Sequence, residues 1–159
     1  MGYPYDLLAE LPSVCVSAFA GVSNVSVFAE IPQGAAVLDL GCGAGLDSLI
    51  AAKRVGVSGR VIGIDFSEAM LRRARQGAAE IGTNSVEFYQ ADADNLLVED
   101  GQMDVALVNG IFNLNPGREA IFRELARVLR PGGAVYAAEL ILGEPLPPEV
   151  KQSEVNWFA

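Results

Sequence analysis

Histidine is absent from the 159-residue chain, and cysteine occurs only at Cys15 and Cys42. These absences remove a Ser-His-Asp triad, a zinc cage and a disulfide framework, and no metal site is expected. No apolar run reaches the ~20 residues needed to span a bilayer. The opening MGYPYDLLAELPS lacks the basic region and hydrophobic stretch of an export signal, so a cytoplasmic chain without membrane partners is expected. Basic residues are scarce too: 11 Lys and Arg against 20 Asp and Glu give a formal charge of −9, which repels a phosphate backbone and argues against nucleic acid. No Lys or Arg occurs from Gln76 to Gly117, while Glu80, Glu87, Asp92, Asp94, Glu99, Asp100 and Asp104 fall there. A solvated acidic face is the ordinary explanation. A sharper one is that part of this acidity suits a cationic ligand.

The chain is half apolar, 51% by count, and regularly patterned from Ala35 onward. Residues 1–34, interrupted by Pro4, Pro12 and Pro32, read as a lid or entry segment. Ala36–Leu40 is a short apolar run ended by glycines, as in a strand buried on both faces. Leu46, Leu49, Ile50 and Val55 then give one helical stripe. The alternation repeats with a strand over Arg60–Asp65, a helix capped by Ser67 with Glu68 in its first turn, and strands over Val86–Gln90 and Met103–Val108. Asn115 and Pro116 read as the cap and first residue of a further helix with Ile121, Leu125, Val128 and Leu129 on its buried stripe. Pro131-Gly132-Gly133 reads as its stop, before a fifth strand from Ala134 to Leu140. Five such strands joined mostly by helical crossovers predict a Rossmann-like, doubly wound α/β fold over residues 35–142. Right-handed crossovers give the order 3-2-1-4-5, with a ligand crevice at the carboxyl ends of strands 1 and 4.

Three strand ends carry the chemistry. Val37-Leu38-Asp39-Leu40-Gly41-Cys42-Gly43-Ala44-Gly45 is a glycine-rich strand-to-helix turn, against whose bare backbone a ligand can lie. Asp65 ends strand 2, twenty positions after Gly45, where a carboxylate can accept from both hydroxyls of a ribose or simply cap the next helix. Phe66 and Met70 read either as walls for an adenine or as core. Ala91-Asp92-Ala93 follows strand 3, where Asp92 can accept from an amino group and the next N–H can donate to a ring nitrogen, or the Asp can simply form a turn.

In that order, these segments resemble the class I S-adenosylmethionine-dependent methyltransferases, and most closely their arsenite-methyltransferase-like and ubiquinone-biosynthesis-like small-molecule branches. The similarity runs from about Phe19 to Pro148. It implies S-adenosylmethionine as cofactor, S-adenosylhomocysteine as product and a small-molecule methyl acceptor. It also implies that Asp39, Gly41, Gly43 and Gly45 contact the methionine part, with Cys42 inside the same turn. Asp65 would then hold the ribose, Asp92 and Ala93 the adenine, and Asn109 the region near the sulfonium. No residue is singled out as catalytic.

The chain departs from the arsenite enzymes at Val22 and Gly110, the positions that match their arsenic-binding cysteines, so arsenite is not the expected acceptor. Two other functions share some of these features. An NAD-dependent oxidoreductase has a glycine turn and ribose acid, but here the turn reads G-x-G-x-G, with Leu46 where a last small residue would pack. A non-catalytic adenosyl-ligand-binding domain would carry the same motifs. The resemblance implies two further strands after the fifth, and residues 143–159 are too short for them. An exposed strand 5 edge is therefore expected, through which two copies could pair as a homodimer.

Overall fold

Val37, Leu38 and Leu40 surround the single charge of Asp39, and this run forms the central strand of the computed structural model, which describes residues 2–141. Strands β1 (Ala36–Leu40), β2 (Arg60–Asp65), β3 (Val86–Gln90), β4 (Met103–Asn109) and β5 (Leu129–Ala138) form one parallel sheet in the order β3-β2-β1-β4-β5. The alternation of side chains sorts the apolar residues into two cores. Val37, Val61, Phe88 and Leu107 meet helices α4 (Leu46–Val55) and α5 (Glu68–Ile81) on one face. Leu38, Leu40, Ile64, Ala106 and Val108 meet helix α6 (Arg118–Val128) on the other. Each fully buried leucine contributes about 1.5–3 kcal/mol, so both faces favour this one register.

Residues before β1 form three short helices, α1 (Tyr5–Ala9), α2 (Ser13–Val16) and α3 (Val25–Phe28), which pack on the α4/α5 side through Leu11, Cys15 and Val25. Their aperiodic sequence hid this, because each helix is a single turn or little more. Helix α5 starts as its sequence indicates: Ser67 accepts from the Met70 N–H at 3.4 Å, and Gly82 closes the helix in the left-handed region.

Two expectations around α6 are corrected. The helix begins at Arg118 with Gly117 as its N-cap, because Asn115 Oδ1 accepts from the Gly117 N–H at 2.7 Å and holds a tight turn instead of capping the helix. Pro131-Gly132-Gly133 does not separate α6 from the strand. Leu129 leaves the helix and pairs directly with Met103, and the Pro-Gly-Gly run forms a bulge before Val105 pairs with Ala134. Gly132, at φ +85°, supplies the left-handed residue there. The run therefore ends the helix two residues earlier than a C-cap glycine would, since proline disfavours helical backbone in the residue before it. The expected tail over residues 143–159, and the question of strands after the fifth, lie outside the described residues.

Candidate functional site

Sheet topology sets the site: the chain leaves β1 towards β2 and β3, then returns to the other side of β1 with β4, and the crevice opens where it reverses. A cavity of about 500 Å³ lies at the carboxyl ends of these strands, within the range of small-molecule and cofactor sites. Asp39, Gly41, Cys42, Gly43, Asp65, Phe66, Met70, Asp92, Ala93 and Asn109 all line it.

The glycine turn is tied to β2 by its own backbone. The N–H groups of Gly41 and Cys42 donate to the Ile64 carbonyl at 2.8 and 2.9 Å, and the Gly43 N–H donates to Asp65 Oδ2 at 2.8 Å. Asp65 Oδ1 accepts from the Ser67 N–H at 2.8 Å. The carboxylate thus holds the turn and starts α5 at once, and each oxygen keeps a lone pair for a ligand hydroxyl. Gly43, at φ +53°, has no atom within 4 Å of where a Cβ would stand, so its backbone faces open cavity. That bare cradle, beside a carboxylate with spare acceptor capacity, fits the methionine and ribose parts of S-adenosylmethionine.

Gly45 does not line the cavity. A Cβ there would stand 2.9 Å from Ala74 Cβ and 3.1 Å from Phe88 Cζ, so this glycine lets α5 and β3 close on the turn. Asn109 lines the cavity, but its amide is committed to protein. Its Oδ1 accepts from the N–H groups of Val22 and Ser23 at 2.8 and 3.1 Å, and its Nδ2 donates to the Ser23 carbonyl at 2.7 Å and to Asp47 Oδ2 at 2.8 Å. It works as a clamp on the N-terminal segment, whose Cys15, Phe19 and Gly21 also line the cavity. Val22 and Gly110 face each other, with a Cβ on Gly110 reaching 2.9 Å from Val22 Cγ2.

The residue that sequence reasoning missed is Asp47. Only 4% exposed in the first turn of α4, it accepts from Tyr3 Oη at 2.6 Å, from the Ser26 N–H at 3.2 Å, from Ser26 Oγ and from Asn109. An Asp at a helix start is ordinarily a dipole partner, and nothing local points to residues 3, 26 and 109. Asp39, 2% exposed, accepts from Ser48 Oγ. Burial pushes its carboxyl up to about 8, with the nearby charge of Asp47 adding to the effect. Burial likewise holds the Cys42 thiol well above its usual range and pushes Cys15 up to about 11, so neither is a ready thiolate. Among the acids expected to suit a cation, Asp92 lines the cavity, whereas Asp100 pairs with Arg127 at 2.8 Å and Asp104 with Arg130 at 2.6 Å. Those two serve the scaffold.

Residues 31–158 match the family model described as a methyltransferase domain. The chain is 37% identical over 153 residues to an arsenite methyltransferase of Halobacterium salinarum, covering 95% of this chain and 38% of the relative. It is 38% identical over 125 residues to a demethylmenaquinone methyltransferase of Lactococcus lactis, covering 79% of this chain and 49% of the relative. The crystal structure of an arsenic(III) S-adenosylmethionine methyltransferase from Chlamydomonas reinhardtii superposes with a TM-score of 0.85 at 31% identity, covering 94% of this chain and 52% of that one. The chain therefore spans less than half the length of these two curated relatives.

Proposed function

The chain belongs to the methyltransferase-domain family, whose relatives include S-adenosylmethionine-dependent enzymes, and on that premise we propose that it binds S-adenosylmethionine and directs its methyl group to a small-molecule acceptor. The observation that carries this reading is the Gly43 cradle hydrogen-bonded to Asp65 at the switch point of the sheet. When bound, the cofactor supplies an electrophilic methyl on sulfur, open to in-line attack by a nucleophile of the acceptor. The protein's own part is to hold and align. Asp39, Gly41 and Gly43, with Cys42 between them, receive the methionine part, and Asp65 receives the ribose. Phe66 and Met70 flank the adenine, and Asp92 and Ala93 bond its edge. Alignment of the two reactants accounts for much of the rate such a site can supply.

In the same proposal, residues 1–34 act as the lid and residues 35–142 as the cofactor domain. Asn109 and Asp47 hold the lid so that Phe19 and Gly21 wall the acceptor side, and Asn109 borders the reacting methyl through its position rather than a free amide. The acceptor is a small organic molecule. Val22 and Gly110 present no thiol to arsenic, and a side chain at Gly110 would collide with Val22. Two free cysteines support a cytoplasmic setting. Among the described residues, no helix is long and apolar enough to cross a membrane. The net charge of −9 disfavours nucleic acid. Pairing of two copies through the β5 edge completes the reading, supported by the place of β5 at the end of the sheet among the described residues.

Calorimetric titration of the purified chain with S-adenosylmethionine, S-adenosylhomocysteine and NAD tests the proposal. Binding of the first two and not the third is expected. Binding of NAD alone would return the chain to the oxidoreductase reading, and binding of the adenosyl ligands without methyl transfer to any acceptor would leave a ligand-binding domain.

A further inference from the structure

Asn109 is followed by Gly110, the only Asn-Gly step in the chain, and every other asparagine precedes a bulkier residue. Glycine leaves its backbone nitrogen unshielded and free to turn, so an asparagine amide before it is open to attack by that nitrogen. The fold itself calls for this glycine: its φ is +79°, and a Cβ on it would stand 2.9 Å from Val22 Cγ2. A labile step is thereby built in where β4 meets the N-terminal segment.

The closed structure blocks that step from both sides. The Gly110 N–H is held in the sheet, donating to the Ala138 carbonyl at 2.9 Å. Asn109 is buried, with both lone pairs of Oδ1 and both protons of Nδ2 engaged by Val22, Ser23 and Asp47. The nitrogen reaches Cγ only when these bonds open, and those to Val22 and Ser23 open when the N-terminal segment leaves.

We propose that Asn109 is a self-modification site: it deamidates when the N-terminal segment opens, and the product keeps the segment open. The Gly110 nitrogen bonds to Asn109 Cγ as the Cγ–Nδ2 bond breaks, and Nδ2 leaves as ammonia with the proton of that nitrogen. Water then opens the cyclic imide at either carbonyl, giving aspartate or isoaspartate at position 109. One water enters and one ammonia leaves, with no oxidation or reduction. Either product lacks the donor that served the Ser23 carbonyl and Asp47, and sets a carboxylate where Nδ2 stood 2.8 Å from Asp47 Oδ2. Two carboxylates so placed repel each other, and among the described residues no Lys or Arg lines the cavity to offset them. Isoaspartate also lengthens the main chain, which displaces the Gly110 N–H from the Ala138 carbonyl.

The experiment ages the intact chain at pH 8.5, folded and unfolded in urea, and follows position 109 by peptide mass spectrometry. In urea, position 109 should convert first among the asparagines, and Gly110→Ala should slow it, a comparison that needs no folded variant. In the folded chain, conversion should be about tenfold slower or more, the factor imposed by a closed segment through its opening equilibrium. Tyr3→Ala loosens the segment at Asp47 without altering either residue of the step, and should recover part of the lost rate. The deamidated fraction, separated by its added negative charge, should be cleaved faster by protease within residues 2–30 while the core stays protected. Equal conversion in the folded and unfolded chains, an unchanged rate in Tyr3→Ala, or equal cleavage of deamidated and fresh protein overturns the inference.

Discussion

Asn109 Nδ2 donates to Asp47 Oδ2 at 2.8 Å across 62 residues of sequence, joining the carboxyl end of β4 to the first turn of α4. The same two side chains hold Tyr3, Val22, Ser23 and Ser26, so one contact between them organises both the sheet end and the segment that covers it.

Asp47→Ala should therefore be costly. It removes the acceptor of donors on Tyr3, Ser26 and Asn109 around a buried position, and each unsatisfied buried group costs about 1–3 kcal/mol. A loss of about 2–4 kcal/mol in urea unfolding is expected after partial rearrangement. A change within ~0.5 kcal/mol, the ordinary range for a surface substitution, would show that the cluster contributes little.

Release of the N-terminal segment should be visible without unfolding. Asn109→Ala is expected to speed protease cleavage within residues 2–30 while the core stays protected, and S-adenosylhomocysteine should slow that cleavage in the unmutated chain. Equal cleavage rates with and without ligand would refute the lid.

Two glycines separate strain from binding. Gly43 and Gly82 both have positive φ, +53° and +67°, and neither has an atom within 4 Å of an added Cβ. Alanine at either should cost about 1–2 kcal/mol of backbone strain. Only Gly43→Ala places its methyl in the cavity, so it alone should lose S-adenosylhomocysteine binding. Equal affinity in the two variants would remove Gly43 from the site.

Asp65→Ala is expected to weaken S-adenosylhomocysteine binding by about 10- to 150-fold, the equivalent of roughly 1.5–3 kcal/mol for a charge-assisted hydrogen bond. An unchanged dissociation constant, by calorimetry, would assign Asp65 to the turn alone.

Stability should also depend on pH through Asp39. Its carboxyl titrates near 8 when folded and near the ordinary ~3.9 when unfolded, so the folded chain binds the extra proton between those values. Stability is then fully present below pH ~4 from this group and is lost as pH rises through 8. The urea midpoint should be lower at pH 8.5 than at pH 5.5, and Asp39→Asn should flatten the difference. A wild-type midpoint that rises with pH would contradict the assignment.

The periodicities that define the sheet are local, and so are visible in the sequence. Ala36–Leu40, Arg60–Asp65 and Val86–Gln90 are short runs with glycine or polar residues at their ends, and the handedness of crossovers turns their order along the chain into their order in space. The three strand ends bearing Gly41 to Gly43, Asp65 and Asp92 were likewise legible, because topology alone brings strand ends to one rim. The bulge at Pro131-Gly132-Gly133 was not, since a helix stop and a strand bulge favour the same residues and only pairing with Met103 and Val105 distinguishes them. Gly45 differed from Gly43 for the same kind of reason: sequence shows the conformational freedom, and the packed neighbours Ala74 and Phe88 decide its use. Sequence by itself thus determined the family, the sheet order and the rim of the cavity. The commitment of Asn109 to a clamp, the hub at Asp47 and the upward push on the Asp39 carboxyl arose only from tertiary structure, because hydrogen bonds across tens of residues and burial depend on what the fold brings together.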